Sequence, residues 1–143
     1  MSIEPKKLIE FAREQIGKSE ACIRAGISRA YYSSHHYFLP LAEQFPSVKA
    51  VDNHLSHREI IHRLEAWNVD PSSPLINLKP QARTAAQKLR ILRSLRVEAD
   101  YELDADLDDA TLKEAIERSE ELKKKYHQLR IALEQSAAPA TTG

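Results

Sequence analysis

Arg29, Tyr32 and His36 stand three and four residues apart in the stretch SRAYYSSHHY, Ser28 to Tyr37. On a helix these steps put all three on one side, with Arg29 and His36 within about 20° of each other. His35 points about 120° away from Arg29, so the adjacent histidines are not equivalent. The residue types suit phosphodiester chemistry, since a guanidinium clamps phosphate and an imidazole moves protons near neutral pH. Small neighbours on that side, Cys22, Ala25, Gly26 and Ser33, leave room for a close helix or a cleft. A structural reading stands beside the catalytic one: Arg29 pairs with a carboxylate inside a bundle while Tyr32 and His36 satisfy backbone carbonyls, as buried polar groups normally do.

A second set lies in KPQARTAAQKLRILRSLR, which holds basic residues and no acid. Lys79, Arg83, Arg90 and Arg93 fall in a helical stripe about 80° wide, a candidate RNA-binding surface or a solvated helix face. Arg96 differs, because it projects from the apolar side made by Ala82, Ala85, Leu89 and Leu92. A guanidinium on the core side needs an acceptor. Asp100, one turn on, offers a structural pair; a site shared with Arg29 is the other reading. With Tyr32, His35 and Tyr101, Asp100 then completes a supporting polar cluster around catalytic candidates Arg29, His36 and Arg96.

Other chemistry finds little support. His54 and His57 share a helical face, but His62 does not join them, and HREIIH is not the HExxH zinc pattern. Gly-rich phosphate loops, a G-x-S-x-G elbow and a cysteine paired with a base are all missing, so neither metal nor cofactor is expected. Trp67 reads as a core or interface anchor.

Positioning these residues falls to helices. Three glycines in 143 residues, with abundant Leu, Ala, Glu, Lys and Arg, favour an all-α chain. A first helix starts near Pro5 and ends at Gly17 or Ser19. The second, about Glu20 to Gln44, carries only Arg24 and Arg29 as charges between Ala21 and Ala42, which predicts burial at the centre of a bundle, with Pro40 kinking its last turns. Its apolar face is Ile23, Ile27, Ala30, Ser34, Phe38 and Leu41. A third helix starts near Asp52 or Asn53 and runs to about Trp67, followed by the break VDPSSP. The fourth runs from Leu78 or Pro80 to Tyr101, and an acidic connector leads to a fifth, opened by a capping box from Thr111 to Glu114. The prediction is one up-and-down bundle of four to five helices over residues 1–135, with a disordered tail at 136–143.

Basic and acidic residues balance at 21 each, so a globally basic nucleic-acid binder is not indicated, although a local patch remains open. The single cysteine, Cys22, excludes an internal disulfide. No apolar run reaches the ~20 residues of a membrane span, and no secretory signal precedes the first helix, so a cytoplasmic protein without membrane contact is expected.

The order SRAYYSSHHYF, HLSHREIIHRL, LRSLRVEADYEL and a long amphipathic helix resembles the HEPN superfamily, over about Leu8 to Leu133. More narrowly, it is similar to a small stand-alone prokaryotic branch with SRAYYA-x-FH-like and LR-x-x-ADY-like helices. The resemblance implies a HEPN-like bundle, usually a homodimer. It also implies a metal-independent ribonuclease or RNA-binding effector of toxin–antitoxin or phage-defence systems, with a minimal nucleotidyltransferase antitoxin as a frequent partner. The family's catalytic arginine maps to Arg96. The histidine that follows it in the family is replaced here by Asp100 and Tyr101, and the polar residue often next to the arginine is Val97. Two functions therefore stand: an RNA-cleaving effector working through Arg29, His36 and Arg96, and a non-catalytic helical module that binds a nucleotidyltransferase or another defence protein.

Overall fold

The computed structural model describes residues 3–45 and 56–137. They form five helices and, among the described residues, no strand: α1 Pro5–Glu14, α2 Glu20–Glu43, α3 His57–Ala66, α4 Lys79–Tyr101 and α5 Asp109–Ala137, with a 3-10 turn at Pro74–Leu78.

The charge-poor α2 is the central element, packing against all four other helices. Its predicted apolar face is buried at every position, Ile27, Ala30 and Phe38 completely. Ser34 belongs to that face because it finds a partner there. Ser119 on α5 donates to the Ala30 carbonyl (2.9 Å), which leaves the Ser34 hydroxyl to donate to Ser119 Oγ (3.0 Å). The small residues of α2 admit neighbours closely. A methyl group added at Gly26 would lie 2.8 Å from Leu112 Cδ1 of α5 and 3.2 Å from Gln15 Cβ. Ser33 donates to the carbonyl of Pro5 (2.8 Å), fastening the start of α1.

Helix ends follow local chemistry. Pro5 opens α1, and Gly17, at φ +82, turns the chain where a side chain would be strained. Ser19 then caps α2, its Oγ accepting from the Cys22 N–H. Two predicted starts need correction. Helix α3 begins at His57 under the cap of Ser56, whose Oγ accepts from the Glu59 N–H at 3.1 Å; Asp52 and Asn53 lie outside the described residues. Helix α5 is opened by Asp108, not by a Thr111–Glu114 box. The Asp108 carboxylate accepts both the N–H and the hydroxyl of Thr111 at 3.1 Å, while Glu114 turns to Arg118. The carboxylate, a charged acceptor at the positive end of the helix, wins that position. Helix α5 also runs through Ala137, two residues beyond the predicted domain end; residues 138–143 lie outside the described set.

The VDPSSP break is built around Trp67, which ends α3 in the left-handed region (φ 41). Its ring stacks on Phe45 at 4.3 Å and its Nε1–H donates to the Leu75 carbonyl at 2.9 Å. Trp67 is a core anchor, 1% exposed.

A candidate functional site between α2, α3 and α4

The end of α4 carries Arg96, Asp100 and Tyr101, and Arg24 of α2 holds that end in place. Arg24 Nη1 donates to the carbonyls of Glu98 (3.3 Å), Ala99 (3.0 Å) and Glu102 (3.0 Å). Its Nη2 donates to Leu103 (3.3 Å) and Ala105 (2.6 Å). A helix C-terminus leaves carbonyls without intrahelical partners and carries partial negative charge, so a guanidinium there acts as a multiple cap.

With α4 fixed, Arg96 comes to rest against α2, 9% exposed. Its Nε–H donates to Asp100 Oδ2 at 2.9 Å, and Nη2 donates to the hydroxyls of Tyr32 (3.1 Å) and Tyr101 (3.4 Å). Ser28 donates to the same Asp100 oxygen at 3.2 Å. The carboxylate that a core-side guanidinium requires is therefore present. Burial opposes the charge on Arg96, yet Tyr32, Asp100 and Tyr101 together raise its pKa.

Tyr32 is the meeting point of the predicted catalytic residues. The Arg96 Cζ lies 5.3 Å from its ring centroid and the Arg29 Cζ 5.8 Å, and the His36 ring lies 6.2 Å away. Arg29 and His36 are both exposed, and Arg29 forms no ion pair among the described residues. They border a shallow groove of about 670 Å³ whose apolar side includes Leu8 of α1 and Leu39 of α2.

His35 faces inward, to a second tier of the cluster that the sequence did not disclose. Its ring centroid is 4.4 Å from that of His57 on α3 and 5.9 Å from that of Tyr31. The Tyr31 hydroxyl is 2.6 Å from His57 Nδ1. Burial raises the Tyr31 pKa against the opposing pull of Arg93 and Arg96, so the phenol keeps its proton and donates it to Nδ1. The His57 proton then resides on Nε2. Burial, followed by His57, His36 and Arg96, pushes His35 down to about 4. Burial and the charges of Arg96 and Arg93 lower His57 as well. Both imidazoles are therefore held neutral at pH 7 and resist taking up a proton.

The basic stripe of α4 divides. Arg90 pairs with Glu65 at 2.6 Å and Arg83 Nε donates to the Glu65 carbonyl at 3.4 Å, binding α4 to the end of α3. Arg93 acts electrostatically on Tyr31 and His57 and has its Nε buried without a hydrogen-bond partner, and Lys79 is the first residue of α4. Of the residues that reasoning from sequence passed over, Tyr31 had a visible signal, since it lies one turn from His35 on α2. Arg24 had none, and His57, weighed in the sequence only as a metal ligand, had none for this pairing, because tertiary packing alone brings them to their partners.

Among the described residues no group of three or more His, Cys, Asp or Glu side chains is placed to hold a metal ion, and no helix is long and apolar enough to cross a membrane. Searches against protein-family models, curated proteins and solved structures find no match to this chain.

Proposed function

We propose that the protein is a HEPN-like, metal-independent ribonuclease whose site lies around Tyr32. The gathering of Arg29, His36 and Arg96 about that ring carries the reading. Arg29 and Arg96 hold the phosphodiester. His36 takes the proton of the ribose 2′-hydroxyl as its oxygen attacks phosphorus. The bond to O5′ breaks, that oxygen takes a proton from water, and the products are a 2′,3′-cyclic phosphate and a 5′-hydroxyl. The resemblance to the family extends the reading to a homodimeric effector of a toxin–antitoxin or phage-defence system, with a nucleotidyltransferase as antitoxin.

One observation favours a second reading. Asp100 already engages Arg96, and the position of the family histidine is taken by Asp100 and Tyr101. A binding module without catalysis would keep this pair as a structural element and recognise its partner through the same helices.

Incubation with total RNA and with tRNA in EDTA separates the two. The ribonuclease reading expects cleavage, lowered about 10²–10⁴-fold by His36→Ala, the usual contribution of general acid–base catalysis. Arg96→Ala should abolish it too. Absence of cleavage by folded wild-type protein overturns the ribonuclease reading and leaves the binding module.

A further inference from the structure

We propose that the groove bordered by Arg29 and His36 is a nucleobase subsite, holding the base of the nucleotide on the 5′ side of the phosphodiester. The inference deepens the ribonuclease reading and rests on it for the register of that nucleotide.

The groove has two kinds of wall. Ile3, Pro5 and Leu8, from α1 and the residues just before it, and Leu39 and Pro40 of α2 form an apolar wall around about 670 Å³, a volume within the range of small-molecule sites. Ile3 is 70% exposed and Leu8 and Leu39 are half-buried, so a ligand seated there removes apolar surface from water. Arg29, Tyr32 and His36 form the other wall. Among the described residues no carboxylate lines the groove, and the Arg29 guanidinium forms no ion pair.

Charge beside apolarity selects an occupant that has both. The guanidinium calls for an anion and the wall next to it for an apolar group, and a nucleotide joins the two through one sugar. The register follows from the reaction. The ribose whose 2′-hydroxyl gives its proton to His36 also carries a base, and His36 lines the groove, so the base nearest to it is that of the 5′ nucleotide. The following base is separated from His36 by the phosphate and departs with the 5′-hydroxyl product.

The same walls set what the groove can discriminate. Its polar side chains are committed: Arg29 to the phosphate, His36 to the 2′-hydroxyl, and the Tyr32 hydroxyl to Arg96 Nη2 at 3.1 Å. No side chain of the groove is left to read the hydrogen-bonding edge of a base, and apolar packing scales with the area buried. Purines therefore bind better than pyrimidines, adenine and guanine alike. A base must leave its stack to enter, so the groove accepts an unpaired strand and rejects the same sequence within a duplex.

Methyl NMR and calorimetry on the full chain in EDTA test this with dinucleotides whose 5′ sugar is 2′-deoxy, so that each has a phosphodiester and no hydroxyl to attack it. The expected result is saturable binding of a purine dinucleotide that moves the Leu8 and Leu39 methyl resonances. Deleting the 5′ base should weaken binding roughly 10- to 100-fold, the usual worth of one stacked base, and deleting the 3′ base should cost less. A pyrimidine at the 5′ position should bind more weakly than either purine. Leu8→Ser and Ile3→Ser, checked for folding by circular dichroism, should weaken the purine dinucleotide more than the one lacking its 5′ base; Ile3 is too exposed for its loss to unfold the chain. Equal binding with and without the 5′ base, or unmoved Leu8 and Leu39 methyls, overturns the proposal, and RNA cleavage by the wild type would then leave the ribonuclease reading standing. Base-dependent binding without cleavage of all-ribose RNA removes the ribonuclease reading and keeps the subsite. Failure of every dinucleotide to bind overturns the subsite and favours a protein partner as the occupant of the groove.

Discussion

Replacing Arg24 by alanine tests whether the end of α4, and with it the site, is held by a single side chain. Five backbone carbonyls accept from its two terminal nitrogens. The contacts to Glu102 and Leu103 are exposed, so water replaces the guanidinium there at little cost. Those to Glu98, Ala99 and Ala105 are partly buried, and each lost bond costs about 1 kcal/mol. Loss of a cation from the helix C-terminus adds about 0.5–1 kcal/mol. The ion pair with Glu20, a carboxylate more than half exposed, adds almost nothing. Arg24→Ala should therefore destabilise by about 3–4 kcal/mol. Arg24→Lys keeps the charge but loses the planar fork that reaches several carbonyls at once, and should recover about half of that.

Urea denaturation followed by circular dichroism measures both variants, with an unchanged m-value required for the comparison. The second readout is the site itself, since Asp100 and Tyr101 lie between the carbonyls that Arg24 binds. Loss of Arg24 should disturb the Arg96–Asp100 pair and reduce whatever RNA binding or cleavage the wild type shows. If Arg24→Ala costs less than about 1 kcal/mol, water satisfies these carbonyls as well as the guanidinium does, and the account of α4 as a tethered helix is wrong.

Three further outcomes follow from the same contacts. For His35, above pH 6.5 folded and unfolded forms are both neutral; as pH falls the unfolded chain takes its proton first, so stability is lost between pH 6.5 and about 4, by at most about 3 kcal/mol. His35→Phe should flatten that part of a pH–stability curve, and an unchanged slope would mean another group controls it. Gly26→Ala gains helix propensity but drives a methyl group against fully buried Leu112; about 1 kcal/mol net destabilisation in urea is expected, and a more stable variant would show that Leu112 moves aside freely. Asp100→Ala removes the acceptor of Arg96 Nε and Ser28 Oγ, for a loss of about 2 kcal/mol, while RNA affinity measured by calorimetry should rise because a competing carboxylate is gone; a fall in affinity would make Asp100 a positioning residue for Arg96.

What could be read in advance divides along a physical line. The burial of α2 was legible because the stretch from Ala21 to Ala42, more than twenty residues with only two charges, has few ways to face water, and its apolar positions keep a 3.6-residue period from Ile23 to Leu41. The Arg96–Asp100 pair was legible for a related reason: a guanidinium one turn from a carboxylate on the same helix needs no knowledge of the rest of the chain. Contacts between helices had no such signature. Arg24 and Arg29 look alike in the sequence, two arginines on a charge-poor helix, yet Arg24 spends its donors on backbone carbonyls of α4 while Arg29 stays exposed beside Tyr32. Carbonyls belong to every residue, so no pattern of side chains announces them. The adjacent histidines make the same point in reverse. Helical geometry correctly separates His35 from His36, but which of them meets the polar interior depends on where α3 places His57. Periodicity assigns a residue to a face; the partner across the interface decides whether that face holds chemistry, and here the partner of His35 across the interface is His57 of α3.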